Sequence, residues 1–362
     1  MLFLKLCNPK QFLIKSSTIR KLLISVLSAA VLVFFQLGVN VVTLAQPQTG
    51  LPTYQPLEQI PATAQQVKTG IYAVNLYSLD PSSNTYYLDF YIWFKWKGDL
   101  DPIEKLEFTN NVEHWSFTLV PTYEKPDKLP DGNFYQILRA EGRFREPFVF
   151  TRYPLDWQSL GITLENSVYT KEQLIYLADT EASGYIDNLS VPGWNIKSYQ
   201  LKNLTHQYIT NFGDTRFQSN ESVYSALRYE LLVSRPISFF LWKLLLPVLI
   251  VLCSSWGALL LYPLYVDSRI LLPSTALLTI VFLQLSYSDG LPDVGYLVLL
   301  DKIYVLVYVL IITAILEAIL TANWAKSENT EDVTRVIVID RYFLIGSLII
   351  LAVGITLLIL LN

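Results

Sequence analysis

After Arg235 the chain stops alternating and becomes apolar in blocks, and this constrains it more than anything else. Four segments, 237–261, 270–287, 297–320 and 342–361, each approach the length that crosses about 30 Å of hydrocarbon. The first three are separated by very short links. The third and fourth are joined by ANWAKSENTEDVTRVIVID, too short for a separate domain. Backbone in lipid must satisfy its own hydrogen bonds, so four such spans predict a bundle of membrane helices. Composition agrees. The chain is 52% hydrophobic and 16% charged, with a mean hydropathy of +0.35, whereas about a quarter of an ordinary soluble domain is charged. The net charge of -4 carries no basic surplus or stripe, which excludes nucleic acid as a partner.

Upstream, residues 46–234 have a β texture. Short runs such as YYLDFYIWFKW, FYQILRAEGRF, SLGITLE and YSALRYELLV alternate apolar and polar residues, separated by the turn signals LDPSSN, KGDLDP, LPDGN and NFGD. This spacing predicts a β-sandwich of antiparallel sheets. Before it, residues 1–45 read as a signal peptide. Lys5, Lys10, Lys15, Arg20 and Lys21 precede LLISVLSAAVLVFF and a small-residue exit near Ala45, although an uncleaved first helix fits the same pattern. Export would place the sandwich and, after four crossings, the C-terminus on the outer side. Arg269, Lys326, Arg335 and Arg341 then fall inside, as the positive-inside tendency requires. Of the two cysteines, Cys7 lies in the signal segment and Cys253 in an apolar run, so the exported part is expected to hold by a hydrophobic core without a disulfide.

Nothing in the chain asks for catalysis, a metal or a cofactor. HExxH, GxSxG, phosphate-binding glycine loops and CxxC are absent, and His114 and His206 are the only histidines.

The second apolar segment lies within DSRILLPSTALLTIVFLQLSYSDGLPD, residues 267–293. Steps of four and three put Asp267, Leu271, Thr275, Leu278, Phe282, Leu285 and Asp289 on one helical face. Repeated around an axis, that face makes acidic rings at both mouths and apolar rings between them. Acidic rings concentrate cations, and apolar constrictions close pores by dewetting. Asp267 also complements a helix N-terminus whatever its function. Asp289 instead stands at the C-terminal end, where the dipole disfavours it. Arg269 beside Asp267 would neutralise the inner ring or favour anions unless it turns away. Gln284 falls off the stripe, toward neighbouring helices.

Several stretches resemble the pentameric ligand-gated ion channels, the Cys-loop receptor superfamily, particularly its prokaryotic members. TGIYAVNLYSLD is similar to the family's first strand and turn. RFREPFVFTRYPLDWQSLGITLE resembles the signature loop, with its aromatic-Pro-x-Asp motif at Tyr153, Pro154, Leu155 and Asp156. GWNIKSY, the arginine at 235, LPVLIVLCSSW and SDGLPDVGY match later landmarks. The departures are the missing loop cysteines, the missing cytoplasmic insertion, His114-Trp115-Ser116-Phe117 in place of Trp-x-Pro, and an apolar Leu271. Pro81 and Asn84 stand after Asp80 where some relatives carry acids, which argues against proton gating.

The resemblance implies an immunoglobulin-like extracellular sandwich (46–234) on a four-helix pore domain (235–362), assembled as a homopentamer in a bacterial inner membrane. The expected function is a ligand-gated, cation-selective channel without cofactors, in contact with lipid and with permeating ions. Asp80, Asp156 and Arg235 would couple the domains, Asp156 and Arg235 as an ion pair, or simply stabilise the boundary. An amine-like small molecule would bind near Tyr176, Phe212 and Phe217, since aromatic faces suit cations. A non-conducting membrane-anchored sensor and an anion-selective channel remain alternatives.

Overall fold

The computed structural model describes residues 53–213, 221–325 and 330–361. The expected signal segment, Lys326 and Phe217 lie outside them. Twelve strands come first: β1 (Thr53–Pro56), β2 (Gln65–Asp80), β3 (Thr85–Trp96), β4 (Leu106–Phe108), β5 (Thr118–Pro121), β6 (Asp127–Lys128), β7 (Phe134–Arg145), β8 (Trp157–Asn166), β9 (Leu174–Ala178), β10 (Gly184–Tyr185), β11 (Asn195–Tyr208) and β12 (Ser222–Ser234). One sheet runs β1-β11-β12-β8-β4. The other runs β10-β2-β3-β7-β5, with β6 on β7 and β9 on β2. Pairing is antiparallel, as the hairpin-like spacing predicts, except where β9 and β10 lie parallel to β2.

The alternation written in the sequence becomes the core. Along β3, Tyr86, Leu88, Phe90, Ile92, Phe94 and Trp96 all point inward. From the facing sheet come Leu160, Ile162, Leu164, Leu227, Tyr229, Leu231 and Val233. Phe144 packs near Tyr86, Phe90, Phe108 and Phe117, with ring centroids 6.1–6.2 Å away. The opposite face of β3 is polar but satisfied, with Asp89 taking Arg139 Nε at 3.0 Å and Nη2 at 2.8 Å.

Four helices follow, each long and apolar enough to cross a membrane: α1 (Phe239–Leu260), α2 (Val266–Ser288), α3 (Leu299–Ala325) and α4 (Thr330–Leu361). α1 opens with π-type turns over Phe239–Leu245, in which the Leu246 N–H reaches Leu241 O. Pro247 follows directly, and the wide turn sits where a proline cannot supply the next helical donor. Pro273 lies well inside α2 and is buried. Ser274 and Thr275 hydroxyls donate to the carbonyls of Ile270, at 2.8 Å, and Leu271, at 3.0 Å, just before it, which supports the interrupted turn.

α4 begins twelve residues before the expected 342, at Thr330. Charges in TEDVTRVIVIDR hide this part from hydropathy. They stabilise it as a helix instead, since Arg335 pairs with Glu331 and Asp332 at 3.3 Å, one turn away. The core makes a direct prediction. Phe144→Ala should destabilise the sandwich by ~3–5 kcal/mol through lost burial and an unfilled cavity, read as a lower thermal midpoint of the purified protein.

Candidate functional site

Two places gather functional side chains: the exposed face of α2 and the junction between sandwich and bundle. On α2, Leu271, Leu278, Phe282 and Leu285 are 57–62% exposed in the protomer. Asp267, Thr275 and Asp289 are exposed beside them. Arg269, Pro273, Ala276, Ile280 and Tyr287 form the buried side, against the other helices. The helix is therefore two-faced, and all seven expected stripe residues lie on the uncovered side. Ser274, Thr279 and Ser286 widen that side. A strict four-three walk misses them because it traces a line, whereas an uncovered helix face is an arc.

The Ser274, Thr275 and Thr279 hydroxyls share one polarity. Thr275 donates to the carbonyls of Leu271 and Leu272, and Thr279 to Thr275 O at 2.9 Å. Each proton is engaged on the helix's own backbone, so each oxygen offers lone pairs outward, an arrangement suited to cations. At the ends, Asp267 lies in the first turn, where Tyr265 is the cap residue and makes no side-chain cap bond. Asp289 is the C-cap, its N–H reaching Leu285 O at 3.3 Å.

Arg269 turns away from the uncovered face. Its side chain is 1% exposed, and Nη2 lies 2.8 Å from Asp340 Oδ1 and 3.4 Å from Glu317 Oε2. The sequence offered no sign of these partners, because Glu317 and Asp340 are 48 and 71 residues away. Gln284 also faces inward, accepting from the Tyr308 hydroxyl at 2.5 Å.

At the junction, Asp156 and Arg235 meet as an ion pair, Nε to Oδ1 at 2.9 Å, with Asp156 1% exposed. Gln158 Nε2 donates to the other carboxylate oxygen at 2.6 Å. The guanidinium lies over the rings of Tyr153, at 4.9 Å, and Trp194, at 4.2 Å. Burial raises the Tyr153 hydroxyl above its ordinary range, against the lowering influence of Arg235.

The 146–156 loop reaches directly into the bundle. The N–H groups of Leu299 and Leu300, which open α3 and lack intrahelical acceptors, donate to Thr151 O at 3.0 Å and Tyr153 O at 3.1 Å. The Tyr153 ring stacks on Tyr287 of α2 at 6.3 Å, and Tyr287 on Tyr304 of α3 at 5.3 Å. A continuous aromatic column thus runs from the 146–156 loop onto the sandwich end of α2.

Asp80 lies in the turn beside the 146–156 loop, and its own bonds stay within that turn. Its carboxylate accepts from the Ser82 N–H and hydroxyl and from the Ser83 hydroxyl. Those bonds, Ser83's foremost, hold it below the usual carboxylate range. In the same turn, Asn84 takes the N–H groups of Glu146 at 2.9 Å and Phe148 at 3.0 Å, so the turn braces the 146–156 loop.

The expected aromatic ligand set does not assemble. Tyr176 is wholly buried, because β9 is a covered strand beside β2 whose side chains enter the core. Its hydroxyl donates to Pro102 O at 2.7 Å, and its ring meets Phe94 at 6.0 Å. That expectation is corrected: Tyr176 belongs to the core. Phe212 is 65% exposed near the β11–β12 turn, with its ring 5.1 Å from Tyr208. The structure instead gathers Tyr54, His206, Tyr208 and Glu165 beneath that turn. His206 Nδ1 lies 2.7 Å from Glu165 Oε2, and Tyr208 donates to Oε1 at 2.5 Å. Tyr54, His206 and Tyr208 line a cavity of about 870 Å³ on the sandwich. Register alone brings these residues together, and no motif in the chain announces it.

Two predictions follow from the junction chemistry. Asp156→Asn leaves the partly buried Arg235 without its counter-charge and should cost up to ~3 kcal/mol, with D156N/R235Q milder, measured by thermal unfolding followed by tryptophan fluorescence. Asp80 titrates lower folded than unfolded, so its contribution is complete above about pH 4 and is lost as pH falls through the lowered value. Asp80→Asn should therefore be less stable than the parent at pH 7, and the two melting curves should converge in acid.

No family model matches the chain. Curated relatives do. It is 23% identical over 284 residues to the "Proton-gated ion channel" of Gloeobacter violaceus, covering 74% of this chain and 76% of that protein. It is 24% identical over 169 residues to the "Glutamate-gated chloride channel" of Drosophila melanogaster, covering 46% and 35%. It is 25% identical over 182 residues to the human "Gamma-aminobutyric acid receptor subunit rho-3", covering 49% and 36%. The chain thus spans about three quarters of the first relative and about a third of the other two. With a β-sandwich joined through an aromatic-Pro-x-Asp loop to four apolar helices, the chain has its homologues among the pentameric ligand-gated ion channels of the Cys-loop superfamily.

Proposed function

We propose that this chain forms a homopentameric, cation-selective channel opened by an extracellular small molecule. The observation that carries this reading is the two-faced α2. One side packs into the bundle, and the other leaves a stripe of acid, Leu, Thr, Leu, Phe, Leu and acid uncovered along the helix. A row of large apolar side chains flanked by acids is costly in lipid or water, but suits the wall of a pore shared by five copies. Leu278, Phe282 and Leu285 then form the closed constriction, and Asp267 and Asp289 ring its mouths. The backbone-bonded hydroxyl of Thr275 adds outward lone pairs.

Opening is a shift between two arrangements that the ligand binds unequally. Its path runs from the sandwich through Asp80, Asp156 and Arg235 to the Tyr153–Tyr287 contact, which bears directly on α2. The ligand site is proposed near the β11–β12 turn, where Phe212 is exposed, at the boundary with a neighbouring subunit, and Phe217 is proposed to contribute to it. An amine suits those rings. The membrane is proposed to be a bacterial inner membrane, with the sandwich and C-terminus outside and lipid around the helices.

An anion-selective channel is the second reading, favoured by one observation: a matched relative is named a glutamate-gated chloride channel. The withdrawal of Arg269 from the uncovered face weighs against it.

The test is a purified pentamer in a planar bilayer under a salt gradient, recorded with candidate amines and pH steps. Currents reversing near the cation potential are expected, and reversal near the chloride potential overturns cation selectivity. A verified pentamer silent under every condition overturns the channel reading and favours a non-conducting sensor. Leu278→Ala should shift the activation curve toward open or leaky pores by roughly tenfold in agonist concentration, about 1.4 kcal/mol of gating free energy.

A further inference from the structure

Three ionisable side chains meet inside the bundle, away from both the pore stripe and the domain junction. Arg269 of α2, Glu317 of α3 and Asp340 of α4 are each 0–1% exposed. Each comes from a different helix, and both of Arg269's contacts lie within one protomer. Their burial therefore does not depend on assembly.

Their placement relative to Asp267 is the informative point. Two residues along an α-helix is a rotation of about 200° and a rise of about 3 Å. Asp267 is thus on the uncovered face at the inner end while Arg269 points into the bundle at nearly the same depth. An arginine has a long, flexible stem and readily carries its charge to the nearest water. From Arg269 that water lies at the inner mouth, beside Asp267. Two carboxylates oppose that movement. With both ionised the cluster carries one negative charge, and with one protonated it is neutral. In neither state does Arg269 contribute net positive charge to the mouth.

We propose that Glu317 and Asp340 are selectivity-determining positioning residues, which hold Arg269 inside the protomer so that Asp267 remains the uncompensated charge of the inner ring. This inference rests on the cation-selective reading given above. It assigns α4 a part in selectivity, although its Asp340 never faces the pore. Removing the acids strands a guanidinium in a site where an unpaired charge is costly. The side chain then leaves for the mouth, and five arginines line a ring that five aspartates had held.

The experiment compares reversal potentials of the full-length channel and its variants under one salt gradient. E317Q/D340N should move the reversal potential toward chloride, with a fall of roughly tenfold in the cation-to-anion permeability ratio, the lower end of what focused charge does to local ion concentration. R269M/E317L/D340L replaces the whole cluster by apolar side chains, a change that buried ion clusters commonly tolerate, and should keep the parent's reversal potential. A cluster with only a structural role would change expression or current amplitude and leave the reversal potential alone.

If the double variant does not assemble, E317Q and D340N singly carry the same test, each retaining one carboxylate. A shift toward chloride in either supports the clamp. The parent's reversal potential in both singles, or in a conducting double variant, overturns it. A parent channel that itself reverses near chloride overturns the cation reading instead, and with it the role assigned to the clamp.

Discussion

Arg235 stands between the last strand of the sandwich and the first apolar helix, and its charge is neutralised there. The chain does this with Asp156, 79 residues earlier, and with the faces of Tyr153 and Trp194 on either side. A buried ion pair of this kind is worth less as stability than as a constraint on geometry, since neither partner tolerates the loss of the other. It fixes the end of β12 against the 146–156 loop. The loop in turn caps α3 with its carbonyls and stacks Tyr153 on α2. Sandwich and bundle are thereby joined by polar bonds and aromatic contact at one place. A change in the sandwich has a short physical route to the helix with the uncovered stripe.

That helix solves two opposed demands by facing them separately. Its inward side is tied to its neighbours by Ile280, Tyr287, Gln284 and Arg269. Its outward side carries Ser274, Thr275 and Thr279 with their protons already engaged, and large apolar residues between acids. Arg269 shows how sharply the two sides are divided: it lies two residues from the exposed Asp267, yet its charge is held inside the bundle by Glu317 and Asp340.

Much of the architecture was legible in the chain. Period-two alternation in β3 and β12 marks strands because successive side chains leave opposite faces of a sheet. Apolar runs mark spans because hydrocarbon admits few charges. The stripe on α2 could be drawn by counting, and Asp156 with Arg235 could be paired through the family resemblance. Reading failed where a residue's environment is set by distant chain. Tyr176 looked available in a loop-like region, yet β9 lies parallel against β2 and carries it into the core. The first turns of α4 looked like a link, because hydropathy registers charges without seeing that they pair along a helix. Glu165, His206 and Tyr208 gave no signal, since register between β8, β12 and β11 alone brings them together.

The sequence by itself determined the two-domain plan, the four helices and the face of α2 that repeats acid, apolar and hydroxyl residues. These follow from local periodicity and local transfer energies, which a linear chain carries in full. Only the tertiary structure decided which charges are exposed. Arg269 is one residue among several basic ones until Glu317 and Asp340 close on it from two other helices. Electrostatic character depends on distances between residues far apart in the chain, and only folding sets those distances.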